Sequence, residues 1–178
     1  MSTSDDPVWR NALRDLDEGN FSALEPMFDP NSAIEDNQCQ IVDWYKRGFF
    51  DNEPKALAEA LSCACFLGRT EVAKFLLDEG VDPAAGFGTG MAAFHWAANR
   101  GNLETVKLLI ERKAPLEQRN MYDGTVLGCT VWSAINEPWF DHVAIIEALL
   151  ASGAKVEEAD YPSGNEKVDE LLRRYGCK

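Results

Sequence analysis

The sequence predicts an all-α protein made of helix-turn-helix units stacked in a row. Three observations carry this reading. First, apolar residues recur at helical spacing on both sides of a break. Phe94, Ala97 and Ala98 share one face, Gly101-Asn102 interrupts, and Leu103, Val106, Leu109 and Ile110 begin a second face. Second, the same unit lies one period earlier, where Gly68, Glu71, Phe75-Leu76 and Ala64 stand for Gly101, Glu104, Leu108-Leu109 and Ala97, each at an offset of 33. Third, it recurs downstream. Trp132-Ser133-Ala134 follows His95-Trp96-Ala97 at an offset of 37, and Ile146, Leu149 and Gly153 follow Val106, Leu109 and Lys113 at an offset of 40. The turn between the helices of that unit (136–141) therefore gains three residues. A pair of short helices cannot hide its apolar side alone, so such units must stack.

From the N-terminus, residues 1–6 read as a polar tail. Pro7 opens a helix whose apolar face is Val8, Ala12, Leu13 and Leu16. Gly19-Asn20 mimics Gly101-Asn102, and Phe21, Leu24 and Phe28 continue as a second helix, so 7–30 read as a degenerate first unit. Pro26 shortens or bends that helix, because proline removes a hydrogen bond and clashes with the preceding turn. Residues 31–53 have no counterpart in the later units. Ile34, Ile41, Val42, Trp44-Tyr45 and Phe49-Phe50 are too apolar for a free linker. With Ser32 as a cap, they predict a helix over 33–46 folded back on the array, Trp44, Phe49 and Phe50 packing against it.

Three units follow, at 54–85, 86–118 and 119–158. Their helices are expected near 54–67 and 70–79, 92–99 and 103–112, and 129–136 and 141–152. The inserted segment 31–51 is expected to cover Phe66 and Leu67. Gly86–Met91 carries three glycines and permits positive φ, whereas Lys113 stands where the closing turns of the other units have Gly80 and Gly153. Asp141 suits an N-cap. Residues 159–178 form a shortened cap, with Val168, Leu171, Leu172 and Tyr175 on one face and Arg173-Arg174 near the helix C-terminus.

At Gly90 to Gln118 the chain resembles the ankyrin repeat family. Gly90 takes the first glycine of that pattern, Phe94-His95-Trp96-Ala97-Ala98 its L-H-x-A-A, Gly101-Asn102-Leu103-Glu104 its turn, and Val106-Lys107-Leu108-Leu109 its second helix. Gly80-Val81-Asp82 and Gly153-Ala154-Lys155-Val156 match its closing turn. The resemblance covers about 54–158. It departs at Leu57, Glu59, Ala60 and Ser62, which replace the expected turn, and at Lys113-Ala114-Pro115-Leu116-Glu117. It implies an ankyrin-type solenoid of three to four repeats with degenerate end caps and an inserted helix near the N-terminus. It also implies protein binding through a concave face of turn tips and first helices, with no catalysis. A scaffold without an evolved partner is the alternative, and a hydrolase-type enzyme using Cys129 or His95 a weaker one. On that face the candidate partner-binding residues are Met91, Trp96, Asn99, Arg100, Tyr122, Asp123, Trp132, Trp139 and Phe140. Trp96 and Trp132 would stack by register, while Trp139 and Phe140 stand in the enlarged turn. The family's histidine at His95 organises neighbouring turns, so a structural role is expected of it.

Charge and motifs narrow the chemistry. The chain carries a net charge of −13. Residues 1–53 hold 12 acids and 4 bases (−8), and residues 54–178 hold 18 and 13 (−5). This opposes a nucleic-acid partner and suits a basic protein partner or simple solubility. No run approaches the apolar length of a membrane span. The opening MSTSDDPVW lacks a secretory pattern. A cytoplasmic monomer with reduced cysteines is expected. Cys63-x-Cys65 places its thiols on different sides of a helix, His95 and His142 lack further ligands for a metal, and His142 falls in an exposed-looking turn. Gly86-Phe87-Gly88-Thr89-Gly90 lacks the strand and lysine of a phosphate loop. No cofactor or metal is expected.

Overall fold

Small residues set where the helices of this chain come closest. The computed structural model describes residues 6–31, 33–34, 38–86, 88–137, 140 and 142–178. Among them are ten α-helices. Helix α1 is Pro7–Glu18, α2 Glu25–Phe28, α3 Gln40–Lys46, α4 Pro54–Leu67, α5 Thr70–Asp78, α6 Ala93–Asn99, α7 Leu103–Glu111, α8 Val126–Asn136, α9 His142–Ala151 and α10 Glu166–Arg174. Short 3₁₀ turns lie at Phe21–Leu24 and Val156–Glu158. The only β feature among the described residues is one isolated bridge, Arg119 to Thr125.

The helices form two layers. In the inner layer α1 packs on α4, α4 on α6 and α6 on α8; in the outer layer α5, α7, α9 and α10 follow one another. Helix α4 is buried from Ala58 through Cys65. Its alanines, serine and cysteines let α6, itself rich in alanine, approach closely enough for tight packing. Helix α1, at the end of the row, buries only Trp9, Ala12 and Leu16, one stripe of its surface.

The N-terminal segment behaves largely as its composition predicts. Asp6 caps α1 through the Val8 and Trp9 amides, with Pro7 at its first turn. Pro26 sits in the first turn of the four-residue α2, where its missing N–H costs nothing. The helix expected over 33–46 spans only Gln40–Lys46. Residues 33–34 instead form a turn on Asn31, whose side chain accepts from the Ala33 amide, and Ser32 lies outside the described residues. Trp44, Phe49 and Phe50 are buried. Trp9 stands edge-on to all three at 4.9–5.3 Å, a geometry aromatic rings favour.

One expectation about this end is corrected. Phe66 is covered by Phe21 and Trp96, not by the inserted segment. The inserted segment reaches α5 instead, through Tyr45 against Phe75.

The third unit also differs in register. The N-caps of α6 and α8 are Ala92 and Thr125, the same offset that separates the first two units. The closing turns, Ala114 N–H to Leu109 and Ala154 N–H to Leu149, are 40 apart. Seven residues are therefore inserted (40 − 33), not three, and four of them lengthen α8 from 7 to 11 residues. Trp132 consequently occupies the position of Asn99 and Phe66, not that of His95.

A polar ladder joins the units at the starts of the outer helices. Asn102 donates to the Cys65 carbonyl at 2.7 Å, at the C-terminal end of α4. His142, its counterpart in the next unit, donates through Nε2 to the Asn99 carbonyl at 2.9 Å, at the C-terminal end of α6. Arg69, the counterpart of Asn102 in the unit before, pairs with Glu25 and Asp29 on and beside α2. Asn102 and His142 satisfy carbonyls that a helix end leaves open, while Arg69 ties the units by ion pairs. His142 is thus buried at 1% exposure, against the expectation of a solvated side chain. Asp141, its expected N-cap neighbour, lies outside the described residues.

Candidate functional site

The inner-layer helices and the turns before them line one side of the array, and the open part of that side is unequal along the row. One register position shows why: Phe66 on α4, Asn99 on α6 and Trp132 on α8. Phe66 lies under Phe21, Trp96 and the Arg100 guanidinium. Asn99 donates to Ser133 Oγ at 3.0 Å and Glu137 Oε2 at 3.4 Å. Trp132 is 55% exposed; α8 is the last helix of the inner layer, and beyond it packs the short 156–158 turn.

The turn 86–91 closes the N-terminal half. Its Gly88 amide donates to Glu59 Oε1 at 2.7 Å, and Trp96 Nε1 donates to Thr89 Oγ1 at 3.2 Å. Gly86 comes so near α4 that a Cβ would stand 2.6 Å from Ser62 Oγ and 3.0 Å from the Ala58 carbonyl, at a φ of +84°. Glu59 is fully buried. Burial pushes its carboxyl above the usual range, against the opposing pull of the Gly88 amide and Lys55.

The next turn does the opposite. Asn120 Oδ1 accepts from the Tyr122 and Gly124 amides at 2.9 and 3.0 Å. Asp123 adopts φ 63°, and the Met121 amide donates to the Gly90 carbonyl at 2.8 Å. The tip is fixed and points outward: Met121 is 65% and Tyr122 78% exposed. With Trp132 and Ile135, three apart on α8 and so on one face, these are the large apolar side chains left to solvent in this part of the chain.

The structure therefore separates the candidate residues. Tyr122, Asp123 and Trp132 are open. Met91 is half-buried, as is Trp96, whose ring stands edge-on to Phe21 and Phe66 rather than stacking on Trp132. Asn99 is tied to α8. Arg100 lies over the rings of Phe66 and Phe140 at 4.7 and 5.4 Å. Phe140 packs edge-on against His142, and Trp139 lies outside the described residues. Met121 and Ile135 escaped the sequence reading. Ile135 became assignable to the exposed side of α8 only once the helix start, three residues earlier than predicted, set its register.

The groups that could do chemistry are placed for structure. His95 is buried between turns, Nε2 donating to the Gly124 carbonyl at 3.2 Å. Burial holds its imidazole below the ordinary range, although the Gly124 and Gln118 carbonyls oppose this. The Cys129 thiol is raised by burial and receives a hydrogen bond from Asn120 at 3.1 Å. Cys63 and Cys65 are raised further by burial. Among the described residues no group of three or more His, Cys, Asp or Glu side chains could hold a metal ion, and no helix is long and apolar enough to cross a membrane.

Helix pairs recurring at a fixed interval, a His95 that joins adjacent turns and side chains that cap the preceding unit define a helical repeat protein. A family profile described as ankyrin repeats, three copies, matches residues 31–120 and 61–160. The chain belongs to the ankyrin-repeat family. Ankyrin repeats generally mediate protein–protein interaction and are typically non-catalytic.

Proposed function

We propose that this protein is a protein-binding module, and that it binds through the third-unit end of its inner face, at Met121, Tyr122, Asp123, Trp132 and Ile135. The observation that supports this reading is the contrast at one register position. Phe66 and Asn99 are satisfied within the chain, while Trp132 and the fixed tip at Met121 and Tyr122 leave more than half of each large side chain to solvent. Trp and Tyr dominate interface energies when buried by a partner. Trp139 and Phe140 are retained as candidates for partner contact.

The reading makes no use of catalysis. A nucleophile needs a thiol shifted toward thiolate beside a base, whereas Cys129 is shifted the other way and its partner is Asn120. The net charge of −13 speeds approach of a basic protein at low salt and disfavours nucleic acid. Cytoplasmic placement and a monomeric state complete the proposal.

The test is affinity capture followed by quantitative binding. Replacing Tyr122 and Trp132 together by Ala should weaken a captured partner by at least about 100-fold, since hot-spot truncations cost roughly 2 kcal/mol or more each. The melting temperature should stay within about 2 °C, because both side chains are exposed. Unchanged affinity would refute the assignment.

A further inference from the structure

We propose that Arg100 is a preformed anchor for a carboxylate side chain of the bound partner segment. This rests on the binding reading above and specifies its chemistry. The chain has 30 acids and 17 bases, so a guanidinium has acids in plenty to choose from. Arg14, Arg47, Arg69, Arg112, Arg119, Arg173 and Arg174 each pair with a carboxylate. Among the described residues Arg10 and Arg100 have none within ion-pair distance, and of the two Arg10 is exposed on α1 whereas Arg100 is held in place. Its guanidinium lies half-buried over Phe66 and Phe140, 4.7 and 5.4 Å from the ring centroids.

Those contacts do two things. They hold the planar fork above two ring faces, contacts that are not hydrogen bonds and so consume none of its N–H donors. They also remove much of the rotamer entropy that a free arginine would lose on binding. What remains is a set of open donors in a geometry that a carboxylate fits bidentately. The position is continuous with the open surface. Asn99, the residue before Arg100, bonds to Ser133, the residue after Trp132. A segment lying over Trp132 and Tyr122 therefore reaches Arg100 with one carboxylate. Screening within about 8 Å at physiological salt lets this contact form in spite of the overall negative charge.

The experiment selects binders from a random library of linear peptides on the wild-type protein, once with free and once with amidated peptide C-termini. Affinities are then measured for wild type, R100Q, R100K and W132A, with melting temperatures for each. Enriched peptides should share an Asp or Glu. Changing it to the amide should cost about tenfold on the wild type and nothing further on R100Q, the signature of a direct pair. R100K, which keeps charge without the fork, should recover only part. An acid required only as a free C-terminus would overturn the side-chain assignment, as would independent, additive losses. Peptides that need Trp132 but ignore R100Q would sink this proposal and leave the binding surface standing; a selection enriching nothing would sink both.

Discussion

His142 offers the sharpest test of how the third unit is joined to the second. Its Nε2 donates to the Asn99 carbonyl at 2.9 Å from a site with 1% exposure, and its ring packs edge-on against Phe140. His142→Ala removes a buried hydrogen bond to a helix-end carbonyl, about 1–1.5 kcal/mol. It also leaves most of an imidazole's volume empty, roughly a further 1–2 kcal/mol after relaxation. The sum is about 2–3.5 kcal/mol, or about 4–14 °C in melting temperature for a chain of this size. His142→Asn is the informative partner. If His142 occupies the place that Asn102 holds one unit earlier, an asparagine there can donate to the same carbonyl and should recover about 1 kcal/mol of the loss. Equilibrium denaturation in urea, with unchanged slope and shifted midpoint, reads both variants. An asparagine variant no more stable than the alanine variant would refute the ladder, and so would an alanine variant within about 0.5 kcal/mol of wild type.

Three further predictions concern other parts of the array. Lys113 holds φ 57° where its counterparts Gly80 and Gly153 hold φ 91° and 99°. Lys113→Gly should stabilise by about 0.5–1 kcal/mol despite glycine's freer unfolded state, visible as a raised denaturation midpoint. The Glu59 carboxyl is raised by burial. The unfolded chain therefore releases this proton first, and stability falls as pH rises from the ordinary carboxylate range through the raised folded value. Glu59→Gln, which can still accept from Gly88, should gain on wild type across that window and hold the gain at neutral pH; parallel pH profiles would contradict this. Cys63 and Cys65 are fully buried with raised thiols, so iodoacetamide at neutral pH should label them only as the chain unfolds, as mass spectrometry of peptides would show.

The array itself was legible because repetition is a one-dimensional signal. Gly68 and Gly101, one period apart, end helices in the left-handed region with φ 67° and 70°, and sequence alone places them. The third unit was harder to read. Its first helix extends by about a turn, and an added helical turn keeps the apolar period while moving every later residue out of alignment with its counterpart. That is how Trp132 came to be matched to His95 rather than to Asn99. The exposure of His142 was misjudged for a related reason: its partner is a backbone carbonyl in the previous unit, and backbone partners leave no mark in sequence. The candidate surface was half visible. Tyr122 and Trp132 follow from turn and helix position. The closure of the other half by 86–91 depends on Glu59 and Gly88 meeting across a long stretch of chain, a contact no local pattern announces.

Amide hydrogen exchange of the protein, alone and saturated with a captured partner or selected peptide, tests the central claim most directly. Protection on binding should concentrate in residues 119–137, at the Tyr122 tip and along α8, and leave 54–67 unchanged. Protection centred on 54–67 and 86–96, with 119–137 exchanging as before, would show that the partner opens the closed half of the face instead.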